Sequence, residues 1–307
     1  MDASAPMRPM APEALGLLQK ALADPNSTVR LSALELIASR NSAVAVESLV
    51  ARLEDPVNEV RLAAIDTLGR RGRRGRKDSV DALLGALSGA SIEAKERITD
   101  ALAFGGDDGK GDVLRERLDE FAASPDLELR ICLCWTLGKQ GDPAVLPYLL
   151  RSLRDPDARL RSSAAGAIGK IPGAASLDAL LGVITDRDPR TRAAAVNGVG
   201  KIAGREDRVF TALEGRLLDP DAFVRNRALI AIGRVGGPRA EQCLAACAAG
   251  EGAEVESAAR VVAAALLGTE SALSTVTGVL SDGAEMTAVG EFLRREDEAL
   301  RREVLAQ

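Results

Sequence analysis

Apolar residues in this chain recur in short blocks at helical spacing, and each block is closed by a similar polar turn. The repeating unit runs from an apolar helix through an Asp-Pro turn to an arginine, and then into an Ala-rich helix that reaches a glycine. Clear copies of the turn are Asp24-Pro25, Asp55-Pro56, Asp155-Pro156 and Asp219-Pro220, leading to Arg30, Arg61, Arg161 and Arg225. A looser copy, Ser124-Pro125, leads to Arg130, and before Arg192 the proline has moved to Pro189. The third unit has no proline, and Lys95 takes the arginine's place. The markers fall at 30, 61, 95, 130, 161, 192 and 225, a step of 31 residues stretched by two to four where a loop has grown.

Counting from the marker, three residues on is a small residue: Ala33, Ala64, Ala164, Ala195 or Ala228. Seven on is a large aliphatic (Ile37, Leu68, Leu137, Ile168, Val199, Ile232), and eight on is often Gly69, Gly138, Gly169, Gly200 or Gly233. Spacings of three, four and seven describe one apolar stripe along a helix. Proline cannot continue a helix and restricts the residue before it, so Asp-Pro is expected to end the first helix of each pair. Asp, Ser and Thr near the turn suit the cap of the second helix, and the glycine near its end suits a left-handed cap. No single pair can bury such a stripe alone, so the units must stack. The pattern predicts an all-α chain, an α-solenoid of about eight antiparallel helix pairs over residues 12–268. A disordered tail is expected over 1–11 and capping helices over 269–307.

The tail departs from the grammar. Glu256 stands where the next marker is due, and Phe292, Leu293, Leu300, Val304 and Leu305 are the apolar points of one or two charged amphipathic helices. These read as a terminal cap with a polar outer face, or as a docking helix.

Composition narrows the chemistry. Aromatics are 2% of the 307 residues, so Ala, Leu, Val and Ile must build the core, as closely approaching helices allow. With no histidine, Ser-His-Asp and Cys-His catalysis are excluded. Cys132 with Cys134, and Cys243 with Cys247, lack the Cys-x-x-Cys spacing of a zinc pair and read as small buried hydrophobes. No cofactor and no metal are called for. A net charge of −5 points away from nucleic acid, which normally demands a basic footprint. There is no apolar run long enough for a membrane span and no signal-peptide pattern, so a cytoplasmic protein is expected.

The Asp-Pro turn, the marker Arg, the Ala-rich second helix and its Leu/Ile-Gly-Lys ending resemble the short HEAT-like repeats of the phycobilisome-lyase class, from about Pro12 to Gly268. That class includes bilin lyases, hydroxylases and many scaffolds. The resemblance therefore implies the repeat architecture and leaves function to particular residues. The hydroxylases of the class use paired His-Glu metal ligands, which a chain without histidine cannot supply.

In HEAT-like repeats the second helices usually line the concave face. The row five residues past the marker, off the apolar stripe, then faces a groove: Glu35, Asp66, Asp100, Trp135, Gly166, Asn197 and Ile230. Its only tryptophan is either a binding anchor or turned into the stack. Nine past the marker lie Arg70, Lys139, Lys170, Lys201 and Arg234, which complement the helix dipole or form an anion-binding stripe. The marker arginines Arg30, Arg61, Arg130, Arg161, Arg192 and Arg225 read as a structural ladder linking neighbouring repeats through bidentate bonds to aspartate. Arg70, Arg71, Arg73, Arg74, Arg76 and Lys77 form a flexible Gly/Arg loop, either solvated or meeting an anionic partner.

The leading expectation is a non-catalytic scaffold whose partner is another protein bound along the groove row. A bilin-lyase-like, chromophore-handling subunit is the second, and a nucleic-acid-binding helical repeat the third. No sequence feature names the partner or an oligomeric state.

Overall fold

The structure is a computed structural model that describes residues 11–40, 44–87, 89–103, 118–204, 206–249, 257–277, 287 and 291. Among them all regular structure is helical. The chain divides into two compact units, Met1–Gln140 and Gly141–Gln307. Most of the expected N-terminal tail, and of the C-terminal caps with their apolar points Phe292, Leu293, Leu300, Val304 and Leu305, lies outside the described residues, as does Glu256.

In the first unit the helices are α1 (Pro12–Leu22), α2 (Ser27–Arg40), α3 (Val46–Val50), α4 (Asn58–Arg73), α5 (Lys77–Ala86), α6 (Ile92–Ala103), α7 (Leu118–Ala122) and α8 (Leu127–Gln140). In the second unit a short 3-10 turn, Pro143–Val145, precedes α9 (Leu146–Ser152). Then come α10 (Ala158–Ile168), α11 (Ala174–Val183), α12 (Pro189–Ile202), α13 (Asp207–Leu217), α14 (Ala222–Val235), α15 (Pro238–Ala248), α16 (Ser257–Leu267) and α17 (Glu270–Ser274). Odd-numbered helices are the first members of pairs and even-numbered ones the second.

Each second helix packs on the second helix of the next pair: α2 on α4, α4 on α6 and α6 on α8 in one unit, and α10 on α12, α12 on α14 and α14 on α16 in the other. The stripe read from the sequence is the buried one. Ala64, Leu68, Ala164, Ile168, Ala195, Val199, Ala228 and Ile232 are all fully buried. First helices add Leu83, Leu149, Leu180 and Leu213 from the other side.

The turn divides its work between two acidic residues. The first accepts the backbone N–H two residues on, as Asp186 does from Asp188 at 2.8 Å and Asp219 from Asp221 at 3.0 Å. The second is the N-cap. Asp188 accepts from the N–H groups of Arg190 and Thr191, and Asp221 from those of Phe223 and Val224. These bonds satisfy donors that the first helical turn leaves open.

Two expectations are corrected. The glycine eight past the marker is not a left-handed cap: Gly69, Gly200 and Gly233 lie inside their helices, and Gly169 has a helical φ of −64°. Its function is close approach. A Cβ on Gly69 would sit 2.6 Å from the Ala101 Cβ, and one on Gly169 would sit 2.5 Å from the Gly198 Cα. The segment from Arg70 to Lys77 is also not a free loop. Arg70, Arg71 and Arg73 belong to the last turns of α4, and Lys77 opens α5. Arginine is a good helix former, so α4 continues as far as Arg73, and only Arg74, Gly75 and Arg76 form the short connection to α5. Arg71 is buried at 2% exposure and donates to the Val44 carbonyl at 2.8 Å, which removes it from any partner contact.

Candidate functional site

The candidate surface is the row on the second helices. In the first unit α2 carries Glu35, α4 carries Asp66, α6 carries Asp100 and α8 carries Trp135. Glu35 is exposed, Asp66 and Asp100 are half-exposed, and Trp135 is 41% exposed. The helix around the indole explains its position. Ile131, Cys132, Leu133, Cys134, Thr136, Leu137 and Gly138 are buried, so Trp135 occupies the side of α8 that the stack leaves open. Among the described residues the indole makes no hydrogen bond.

The acidity of the row is largely cancelled where it is described. Arg97, two past the marker of the third unit, grips Asp66 from the following helix, with Nε donating to Oδ1 at 2.7 Å and Nη2 closing the second bond. Lys139 Nζ reaches Asp100 Oδ1 at 2.5 Å. Asp66, Arg70, Arg73, Arg97, Asp100 and Ala101 surround a recess of about 430 Å³. Arg73 donates to the Ala101 carbonyl at 3.3 Å, and Arg70 is exposed with no hydrogen bond or ion pair among the described residues. With two carboxylates against Arg70, Arg73, Arg97 and Lys139, the middle of the row is positive.

In the second unit the row changes character. Gly166 is partly exposed and offers no side chain. Asn197 accepts from Arg234 Nη1 at 2.8 Å. Ile230 is fully buried against Ala258, Ala259 and Val262, because α16 covers that side of α14. It is therefore withdrawn from the candidate binding residues. The basic positions nine past the marker act as struts in two cases: Lys139 and Arg234 both reach back to the row residue of the preceding second helix. Lys170 and Lys201 are exposed.

The ladder arginines show one geometry at three positions. Nη1 donates to two carbonyls of the arginine's own turn, and the Nε–Nη2 edge takes an aspartate of the next turn. Arg30 meets Asp55 at 2.8 and 2.7 Å, Arg161 meets Asp186 at 2.9 and 2.8 Å, and Arg192 meets Asp219 at 2.8 and 2.7 Å. Burial pushes the pKa values of Asp55, Asp186 and Asp219 up, but the arginine and backbone hydrogen bonds outweigh it and hold all three below the usual aspartate value. Arg225 keeps the carbonyl half of the arrangement, donating to the Asp219 and Pro220 carbonyls. Arg61 does likewise with its own turn.

The cysteines are thiols in protected surroundings. Burial pushes Cys132 up to about 11, and burial with the neighbouring Glu214 carboxylate pushes Cys243 up to about 11. At neutral pH neither supplies the thiolate that nucleophilic or metal chemistry needs. Among the described residues no group of three or more Cys, Asp or Glu side chains is placed to hold a metal ion. No described helix is long and apolar enough to cross a membrane.

A second exposed aromatic, Phe223, lies in the second unit. It stands in the first turn of α14, 49% exposed, with the Arg227 guanidinium 4.9 Å from its ring centroid. Its position, two residues before the marker Arg225, carries Thr28, Glu59, Arg159 and Arg190 in other copies of the turn, so the repeat pattern alone does not single it out.

Stacked helix pairs joined by a side-chain ladder define an all-α protein of the solenoid class. The chain belongs to the HEAT-repeat family, whose model matches residues 14–103, 112–200, 153–233 and 182–265. No curated protein matches its sequence significantly. Among solved structures it is similar to Kap121p bound to Pho4p, at 15% identity and a TM-score of 0.60, over 95% of this chain and 36% of Kap121p. A Kap121p mutant gives 16% identity and 0.59 over 95% and 37%. The chain thus spans little more than a third of the length of Kap121p, and at this identity the likeness shows the fold. A further match is the CpcE–CpcF complex of phycocyanin lyase from a Nostoc species, at 16% identity and a TM-score of 0.38 over 94% of this chain and 99% of that one.

Proposed function

We propose that this chain is a non-catalytic scaffold that binds a partner protein along the second-helix row of its first unit. The observation that carries the reading is Trp135, the chain's single tryptophan, held 41% exposed beside the Asp100–Lys139 pair. A large amphipathic side chain fixed on a rigid helix offers contact area at low entropic cost, and tryptophan is enriched among residues that dominate binding. The solenoid fold itself accommodates such a role, as the Kap121p–Pho4p complex illustrates for a relative in fold. The chain has no histidine, and the Cys132 and Cys243 thiols are held protonated at neutral pH, so the reading does not route through histidine- or thiolate-based catalysis. The cytosol is the compartment that suits such a scaffold.

The test is quantitative capture from the native cell with the full chain immobilised. Trp135→Ala is expected to weaken the principal partner by about thirtyfold, the loss typical of a central aromatic anchor. Charge reversal at Asp66 and Asp100 should weaken it further, while Phe223→Ala in the second unit leaves it unchanged. An identical set of captured proteins, at identical yield, from wild type and the Trp135→Ala, Asp66→Lys, Asp100→Lys triple variant would sink the reading.

A further inference from the structure

The ladder has a missing rung. In the three complete rungs the accepting aspartate lies six residues before the next marker: Asp55 before Arg61, Asp186 before Arg192 and Asp219 before Arg225. The corresponding residue before Lys95 is Gly89, with φ +84°, a conformation that suits glycine, and with nothing within 4 Å of where a Cβ would be. Lys95 itself turns away to Glu128, at 3.2 Å.

Arg61 is nevertheless posed like the other ladder arginines. Its Nη1 donates to the carbonyls of Asp55 at 2.8 Å and Pro56 at 3.3 Å. On the edge that elsewhere receives the aspartate, Nη2 bonds only to Asn58 of its own helix, at 2.8 Å, and Nε has no partner among the described residues. Where the next turn would have delivered its carboxylate, a cleft of about 790 Å³ opens between α3, α4, α5 and α6, and Arg61 is in its wall. The rest of the wall is apolar or small, chiefly Val50, Leu53, Ile65, Ala82, Ala86 and Ile98. The other polar contributors are Glu54, which is exposed, and Ser91, whose hydroxyl already accepts from the Ala94 N–H.

We propose that this cleft binds a small monocarboxylate with an apolar body. The carboxylate takes the Nε–Nη2 edge of Arg61 in the place of the missing aspartate, and the hydrocarbon lies against Val50, Leu53, Ile65 and Ile98. Two features select that class. A guanidinium fork prefers a carboxylate in bidentate geometry. A cleft of this volume, apolar with one convergent cation, has the make-up of a small-ligand site. Glu54 adds selectivity, because a dianion extending to the exposed edge meets a like charge there. The site lies apart from the Trp135 row and does not depend on the scaffold reading.

Octanoate is the probe, with 1-octanol as its uncharged match, both titrated calorimetrically into the full chain. Octanoate is expected to bind one site at least tenfold more tightly than 1-octanol. Arg61→Gln should weaken octanoate at least tenfold and leave 1-octanol as it was. Gly85→Leu should weaken both, since Gly85 lines the cleft and its Cβ would meet nothing within 4 Å, so the new side chain fills the space without disturbing the fold. If Arg61→Gln does not fold, Gly85→Leu alone decides. Equal affinities for octanoate and 1-octanol, octanoate binding that survives Gly85→Leu, or no octanoate binding at millimolar concentration would each overturn the proposal.

Discussion

Arg192→Ala destabilises the protein by about 3–5 kcal/mol in denaturant unfolding, the usual cost of removing one partner from a buried ion pair. The Arg192 side chain is 11% exposed and that of Asp219 fully buried, so water cannot replace the lost guanidinium. What then remains to Asp219 is the Asp221 N–H at 3.0 Å and a longer contact from Arg216 at 3.4 Å. The two carbonyls of Asp186 and Arg187 also lose their donor. Asp219→Leu alone should cost a similar amount, because it strands the arginine. The double variant Arg192→Leu, Asp219→Leu should cost clearly less than the two single changes added together, since an apolar pair in the same volume leaves no charge uncompensated. Arg208→Ala serves as the control. It removes ion pairs to Asp178 and Glu206 whose side chains are all roughly half exposed, and it should leave the unfolding midpoint unchanged. If Arg192→Ala behaves like Arg208→Ala, the ladder is ornament and stacking alone carries the interface.

The same rungs set the response to acid. Asp55, Asp186 and Asp219 have folded pKa values below their unfolded ones, so the folded state binds fewer protons as the carboxylates begin to titrate. Their contribution is complete above the unfolded carboxylate value of about 4 and is lost as the pH falls through the lowered folded values. With no histidine in the chain, nothing of that type titrates between about pH 5 and 8. Unfolding free energy measured against pH should therefore be flat across that interval and fall steeply below pH 4. In Arg192→Ala the fall should begin at higher pH, since burial at Asp219 is then less opposed by cations.

The repeat was legible in the sequence because its signals are local. Asp-Pro ends one helix within its own turn, and the small and aliphatic positions after Arg161 or Arg192 lie on one helical face whatever the neighbours do. The ladder was legible in type, since an arginine and an aspartate recurring in step invite pairing. What the spacing leaves open is which neighbour a side chain reaches. The row of Glu35, Asp66 and Asp100 reads as acidic, yet Arg97 and Lys139 come from the following helices and reverse its sign. Ile230 obeys the same spacing as Trp135, and its burial depends on where α16 lies, which the sequence around Ile230 does not encode. Arg71 is indistinguishable in sequence from Arg70 and Arg74, but helical phase turns it inward to Val44. Gly89 carries no signal of its own, because an absent aspartate makes no motif. Its meaning emerges only once Asp55, Asp186 and Asp219 show what normally stands there.

Two glycines three residues apart put the close-approach account of the second helices to its sharpest test. Gly166 and Gly169 end the same helical stretch, and sequence periodicity offers no reason to treat them differently as helix residues. A Cβ at Gly166 would meet nothing within 4 Å, so Gly166→Ala gains the helix preference of alanine and stabilises by about 0.5–1 kcal/mol. A Cβ at Gly169 would lie 2.5 Å from the Gly198 Cα and 3.5 Å from its backbone nitrogen. The obstacle is backbone, so no rotamer change relieves it, and α10 and α12 must move apart. Separating them opens the buried layer around Ile168 and Val199, which are fully inaccessible. Gly169→Ala should therefore destabilise by about 1–3 kcal/mol, the range for overpacked cores, and outweigh its own gain in helix propensity. Gly200→Ala, facing the Ala231 Cα at 2.8 Å, should follow Gly169. Opposite signs at Gly166 and Gly169 in chemical unfolding would establish that the glycine of the repeat is kept for contact between second helices. The same sign at both would show that contact between second helices does not decide which residue stands there.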